Sequence, residues 1–224
     1  MIQSVAFIGL GAMGYRMAAH LPKYFDTVYV WNRNFSKAEQ HATEFGTIAS
    51  ELEQAAQADV IFSCLPTSQD VENLISSIKI KSGAIWIDCT SGVPDAARRL
   101  AEQLKAQDVA FLDAPVSGQT IGAENATLTF MVGGDIDAFE RAYPAMSALG
   151  KLIQHVGESG AGFAVKAINN MLLAVNLWSV AEGFTTLKAH GVNLDAALNC
   201  INASSGKSLV TENIFPQRVL SREF

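Results

Sequence analysis

Residues 4–14 read Ser4-Val5-Ala6-Phe7-Ile8-Gly9-Leu10-Gly11-Ala12-Met13-Gly14. A strand-forming run stops at the first of three glycines, and a helical pattern that places Met13, Met17 and Leu21 on one side follows. Beyond it, strand-like runs at Thr27–Trp31, Val60–Ser63, Ile85–Asp88 and 109–113 alternate with amphipathic segments. Such alternation predicts an α/β fold with a doubly wound, mostly parallel sheet. Two segments, Ser36-Lys37-Ala38-Glu39 and Ser50-Glu51-Leu52-Glu53, carry the serine-to-glutamate spacing of helix capping boxes. A strand at 128–132 ends in Gly133-Gly134, a helix is expected from Asp135, and a strand at 152–156 closes the series. Residues 161–190 then form one long proline-free helix, with Gly191 as its stop, and the remainder reads as short helices. The expected boundary lies near Gly160, dividing residues 1–160 from an all-α portion, 161–224.

Gly9-Leu10-Gly11-Ala12-Met13-Gly14 has the spacing and the strand–helix context of a dinucleotide-binding turn. The first glycine permits the tight reversal, the second lets the backbone approach a pyrophosphate, and the third lets the helix pack on the strand. An ordinary glycine-rich turn is the alternative. The second strand of such a unit commonly ends in a carboxylate that accepts hydrogen bonds from the ribose of NAD. Here Asn32-Arg33-Asn34 stands there instead. Asn32 removes a negative charge that would repel a 2′-phosphate, and Arg33 offers a planar, permanently charged fork suited to one. NADP is therefore the expected cofactor, ahead of NAD, unless Arg33 is simply an exposed loop arginine.

Sixteen basic and twenty-two acidic residues leave a net charge of -6, with no basic run interleaved with aromatics, so nucleic acid is not an expected partner. At 49% hydrophobic residues the chain can bury one large core or two smaller ones. Cys64, Cys89 and Cys200 lack metal or disulfide spacing and fit a reducing, cytoplasmic setting. The glycines interrupt the apolar N-terminus before a signal-peptide core could form. The apolar stretch Met171 to Ala181 is short for a membrane span and reads as a buried helix, so no membrane partner is expected.

Three later segments are more specific. They are Asp88-Cys89-Thr90-Ser91-Gly92-Val93-Pro94, Asp113-Ala114-Pro115-Val116-Ser117-Gly118-Gln119, and Gly160-Ala161-Gly162-Phe163-Ala164-Val165-Lys166-Ala167-Ile168-Asn169-Asn170. With the glycine turn they make the chain resemble the β-hydroxyacid dehydrogenases, the family of 3-hydroxyisobutyrate dehydrogenase, tartronate semialdehyde reductase and the glyoxylate/succinic semialdehyde reductases. The resemblance implies a Rossmann-type domain, a long helix and an all-α second domain. It also implies hydride transfer between nicotinamide and a small 3-hydroxy acid or its semialdehyde, in a homodimer or homotetramer.

By the same resemblance Cys64-Leu65-Pro66-Thr67, and Val71 beyond them, lie along the cofactor, as do Thr90 and Ser91, with Ser91 touching substrate too. Otherwise one of Thr90 and Ser91 caps the helix before Pro94. Ser117 and Gly118 match the substrate-carboxylate loop; the family usually continues with a second glycine where this chain has Gln119, a departure that bears on substrate length. Lys166 takes the acid/base role, and Asn169 and Asn170, three and four residues on, share its helix face and orient substrate. The bland alternative for Lys166 is a snorkelling surface lysine. His20, His41, His155 and His190 show no ligand spacing, and no metal is expected. Family members continue through further helices bearing a Lys-Asp-Leu segment that these 224 residues do not contain. A non-catalytic dinucleotide-binding or scaffold protein is therefore the second reading, and an imine reductase of the same architecture the third.

Overall fold

The computed structural model describes residues 2–222. Among them nine strands form one sheet: β1 (Ser4–Ile8), β2 (Thr27–Trp31), β3 (Ile48–Ala49), β4 (Val60–Ser63), β5 (Ile85–Asp88), β6 (Ala110–Asp113), β7 (Val116–Ser117), β8 (Leu128–Gly134) and β9 (Gly150–Gly157). The order is β3-β2-β1-β4-β5-β6-β8-β7, with β9 also paired to β8. Pairing is parallel from β3 through β6, antiparallel where β8 meets β6 and β7, and parallel again between β8 and β9. The doubly wound, mostly parallel sheet expected from the alternation is present.

Side-chain alternation sorts each central strand between two apolar layers, as the two-residue period of a strand requires. Val5 and Phe7, Val60 and Phe62, and Ile85 and Ile87 enter one cluster, while Ala6, Ile8, Ile61 and Trp86 enter the other. Phe7 and Phe62 stack across neighbouring strands with ring centroids 5.7 Å apart. Strands buried on both faces read as continuous apolar runs, which is why β1, β4 and β5 were legible.

The helices are α1 (Gly14–Ala18), α2 (Phe35–Phe45), α3 (Leu52–Ala55), α4 (Ser68–Ser76), α5 (Pro94–Lys105), α6 (Gln119–Glu124), α7 (Ile136–Ser147), α8 (Ala161–Ala189) and α9 (Leu194–Asn202). Both expected capping boxes are corrected. The helix α2 is capped at Asn34 and α3 at Glu51, neither through a side-chain hydrogen bond. Ser36 instead donates to Asn34 Oδ1 at 2.8 Å, and the Ser50 hydroxyl is buried without a partner among the described residues. A complete capping box forms at α4, where Thr67 and Asp70 satisfy each other's backbone N–H.

The chain divides into two compact units between Lys166 and Ala167, inside α8. The second unit buries Phe184, Leu198, Val210 and Phe215 around the end of α8, α9 and a π-helical stretch at Val210–Leu220. Gly191 stops α8 as expected: at φ +71° it lets its own N–H reach the Lys188 carbonyl and the Val192 N–H reach that of Leu187. The single chain does not itself bury the stretch Met171 to Ala181: Met171, Leu172, Val175 and Trp178 are all more than half exposed in it. By length and composition alone α8 is also long and apolar enough to cross a membrane.

Candidate active site at the carboxyl edge of the sheet

The chain runs β1, β2, β3 to one edge and returns to the opposite side of β1 as β4. Loops diverge at that reversal, which is where ligands bind in open α/β sheets. The loop after β1 is Gly9 to Gly14 and the loop after β4 is Cys64 to Thr67. They touch: a Cβ on Gly9, whose φ is +97°, would lie 2.4 Å from the Cys64 carbonyl oxygen. A Cβ on Gly14 would lie 2.0 Å from the Gly9 carbonyl oxygen. Gly11 differs, since no described residue stands within 4 Å of the position its Cβ would take. Two glycines thus serve the protein's own packing, and the space at the middle one is open to a ligand. Leu10, Ala12 and Met13 fill the remaining positions of the turn, with Leu10 buried and Ala12 exposed.

Asn32 fastens this turn. Its Oδ1 accepts the Leu10 N–H at 3.0 Å and its Nδ2 donates to the Asn34 carbonyl at 3.0 Å. An aspartate could accept the first bond but not donate the second. Arg33 and Asn34 are exposed beside it, and Arg33 forms no ion pair among the described residues.

Behind the loops lies a buried polar network that the sequence did not reveal. Trp86 Nε1 donates to Ser63 Oγ at 2.9 Å, and Ser63 Oγ donates to Asp88 Oδ1 at 2.9 Å. The Thr90 N–H reaches the same oxygen at 3.0 Å, while the Leu65 N–H donates to Thr90 Oγ1 at 3.1 Å. Thr90 is therefore buried and holds the loop that contains Leu65 and Pro66; Ser91, next to it, is exposed. Neither hydroxyl caps α5, whose cap is Val93, its N–H bonded to Ser68 Oγ at 2.9 Å. Val71 is wholly buried in the apolar layer beneath. Burial pushes the Asp88 carboxyl up to about 6 despite its donors from Thr90 and Ser63, and Asp88 Oδ2 has no partner among the described residues. Burial, then the Asp88 charge, pushes the Cys64 thiol up to about 12, which makes it a poor nucleophile.

Asp113, in register with Asp88 on the neighbouring strand, receives the start of α8. Its Oδ1 accepts the Gly160 N–H at 2.7 Å and its Oδ2 the Phe163 N–H at 2.9 Å. A carboxylate is well placed against the first turn of a long helix. Glycine at 133 and 162 leaves room for it: a Cβ on Gly133 would come within 2.6 Å of Asp113 Oδ1, and one on Gly162 within 2.4 Å of the Asp113 carbonyl oxygen. Gly92 lies under the Phe163 ring and Gly160 against the Pro94 carbonyl, so a Cβ on either would collide. The quoted segments interlock through their glycines.

Lys166 lies on α8 just beyond this fastening, half-buried, and desolvation holds its ammonium below the usual lysine value. No carboxylate pairs with it among the described residues. Asn169 and Asn170 follow on the same helix, their amides 3.5 Å apart. Ser117 pairs with Thr129 at the end of β7, and Gly118 and Gln119 open α6, Gln119 with φ +57°. His155 is held by packing on Phe139 and by donating to the Gly134 carbonyl at 2.8 Å. No group of metal-ligating side chains occurs among the described residues.

Residues 4–157 match the family described as the NAD binding domain of 6-phosphogluconate dehydrogenase, and residues 160–224 match the NAD-binding region of NADP-dependent 3-hydroxyisobutyrate dehydrogenase. The chain is 37% identical to 2-(hydroxymethyl)glutarate dehydrogenase of Eubacterium barkeri, over 98% of this chain and 75% of that one. It is also 37% identical to the NAD-dependent L-serine dehydrogenase of Pseudomonas aeruginosa, over 94% and 73%. Its structure superposes on Mycobacterium tuberculosis 3-hydroxyisobutyrate dehydrogenase, solved with L-serine, with a TM-score of 0.86 at 32% identity, covering 95% of this chain and 74% of that one. Glycine turn, interlocked segments and these likenesses agree: the chain belongs to the β-hydroxyacid dehydrogenase family of NAD(P)-dependent hydroxyacid oxidoreductases.

Proposed function

We propose that the chain is an NADP(H)-dependent oxidoreductase interconverting a small 3-hydroxy acid and its semialdehyde, with Lys166 as general acid and base. The observation that carries this reading is Lys166 itself, a half-buried lysine with no acidic partner among the described residues, on the helix that Asp113 anchors to the carboxyl edge. Bound there, the dinucleotide supplies or accepts the hydride. Gly9 to Gly14 would hold its pyrophosphate, the open face of Gly11 giving the approach, and Cys64 to Thr67 would lie along it.

The protein's own part is to move a proton and hold an anion. In reduction the Lys166 ammonium donates a proton to the substrate carbonyl oxygen; in oxidation the neutral amine takes the hydroxyl proton. Ser117 and the backbone N–H groups at Gly118 and Gln119 would hold the substrate carboxylate, with Ser91, Asn169 and Asn170 orienting the rest. Desolvation of Lys166 supports the role, since it brings the amine closer to the pH at which both of its forms are available.

The preference for NADP(H) rests on Arg33, exposed beside Asn32 and without an ion pair among the described residues. Michaelis constants for NADPH and NADH, measured with methylmalonate semialdehyde, test it: NADPH should be favoured in the wild type and lose its advantage in Arg33→Ala. A clear preference for NADH contradicts it. The same reading carries a homodimer or homotetramer in a reducing cytoplasm, in which a second copy covers the exposed side chains of Met171, Leu172 and Val175. Light scattering of the purified protein gives its mass directly, and a monomer would refute this part.

A further inference from the structure

Four non-glycine residues among those described have a left-handed backbone: Asp108, Gln119, Ala126 and Arg222. Asp108 and Ala126 terminate helices in the usual way. The Val109 N–H reaches the Leu104 carbonyl past Asp108, and the Thr127 N–H reaches the Gly122 carbonyl past Ala126. Arg222 follows the last helical stretch. Gln119, at φ +57°, begins a helix instead, directly after Gly118 at φ +137°. No helix-ending hydrogen bond requires a left-handed residue there, and glutamine adopts that conformation far less readily than glycine or asparagine. Its side chain is exposed and makes no hydrogen bond within the described residues. A strained residue whose side chain does nothing for the fold points to a use outside it.

We infer that Gln119 is a specificity-determining residue whose amide hydrogen-bonds an uncharged polar substituent of the substrate, a second hydroxyl. The inference rests on the proposed role of Ser117 and Gly118 in holding the substrate carboxylate. A glutamine amide offers donors and an acceptor together, which matches a hydroxyl that does both. The stretch from Asp113 to Leu128 contains no lysine or arginine, so it provides no counter-ion for a second carboxylate. A methyl group in place of that hydroxyl would leave the amide facing an apolar surface.

Tartronate semialdehyde and methylmalonate semialdehyde differ at the 2-position by hydroxyl against methyl and form a matched pair. The ratio of kcat/KM for the two, with NADPH, is compared in wild type, Gln119→Gly and Gln119→Met. The hydroxyl-bearing compound should be favoured by the wild type, and the ratio should fall about tenfold in both variants, the loss of one hydrogen bond. Gln119→Gly should also raise Tm by about 2–4 °C through relief of strain, whereas Gln119→Met, which keeps the conformation, should not. An unchanged ratio in both variants overturns the inference even if turnover is robust. No wild-type turnover of either compound overturns the reading of the loop as a substrate site, and this inference with it.

Discussion

The Asp113 carboxylate accepts the Phe163 N–H at 2.9 Å, so one buried acid at the end of β6 fixes where the 29-residue helix α8 begins. A second oxygen of the same group takes the Gly160 N–H, and burial raises the carboxyl above its ordinary value even so. The placement of Lys166, one turn further along, follows from this fastening.

Crowding around Asp113 predicts a contrast between two glycine substitutions. Gly162→Ala would press a methyl group onto the Met131 and Asp113 carbonyl oxygens and should cost about 2–3 kcal/mol of stability. Gly183→Ala, in the same helix with nothing within 4 Å, should stabilise by about 0.5–1 kcal/mol. Urea unfolding of both variants checks the pair; equal effects would show that the glycine at 162 is not there to make room.

Asp88 predicts a pH dependence of stability. Its carboxyl titrates near 6 in the folded chain against an ordinary value of 3.8, so between those values the folded state holds the proton more tightly. Stability from this group is present at low pH and is lost as pH rises through about 6. Asp88→Asn, which resembles the protonated form, should gain on the order of 2 kcal/mol relative to wild type between pH 4 and pH 7. A difference between the two proteins that does not change with pH would contradict this.

His41 predicts the opposite slope. It is fully buried, with Nδ1 2.8 Å from Thr47 Oγ1 and Nε2 3.0 Å from the Tyr15 carbonyl, and desolvation lowers its pKa below the ordinary 6.5. The unfolded chain takes up this proton first as pH falls through 6.5, so stability drops on the acid side. Thermal unfolding at pH 7 and pH 5 should show a larger loss in wild type than in His41→Gln.

Lys166 predicts a pH–rate profile. Its ammonium is destabilised by burial, so kcat/KM for reduction should fall on the alkaline side at a pH below 10.5, and kcat/KM for oxidation should rise over the same interval. A reduction rate that stays flat up to pH 10.5 would exclude Lys166 as the donor.

Much of the fold was legible because the central strands are apolar on both faces and end in turn residues. The bounds read for β1, β2, β4 and β5 are those observed. The two-residue strands β3 and β7 are too short to show a period in the sequence. The capping boxes at Ser36 and Ser50 were misplaced since spacing cannot say whether the serine stands at the helix boundary; the real box uses Asp70 where the pattern sought glutamate. At the site, the three-glycine spacing was readable, but the reason for each glycine was not. Gly92, Gly133, Gly160 and Gly162 are explained by Phe163, Pro94 and Asp113, partners distant in sequence. In the sequence Asp88 and Asp113 show only as strand ends, because their networks exist only once β4, β5, β6 and α8 are side by side.

Lys166→Ala is the most direct test of the proposed chemistry. NADPH affinity, followed by its fluorescence on binding, should stay within about twofold of wild type while reduction of methylmalonate semialdehyde falls by about 100-fold or more. Near-normal turnover in the variant would contradict the assignment of Lys166 as the proton donor.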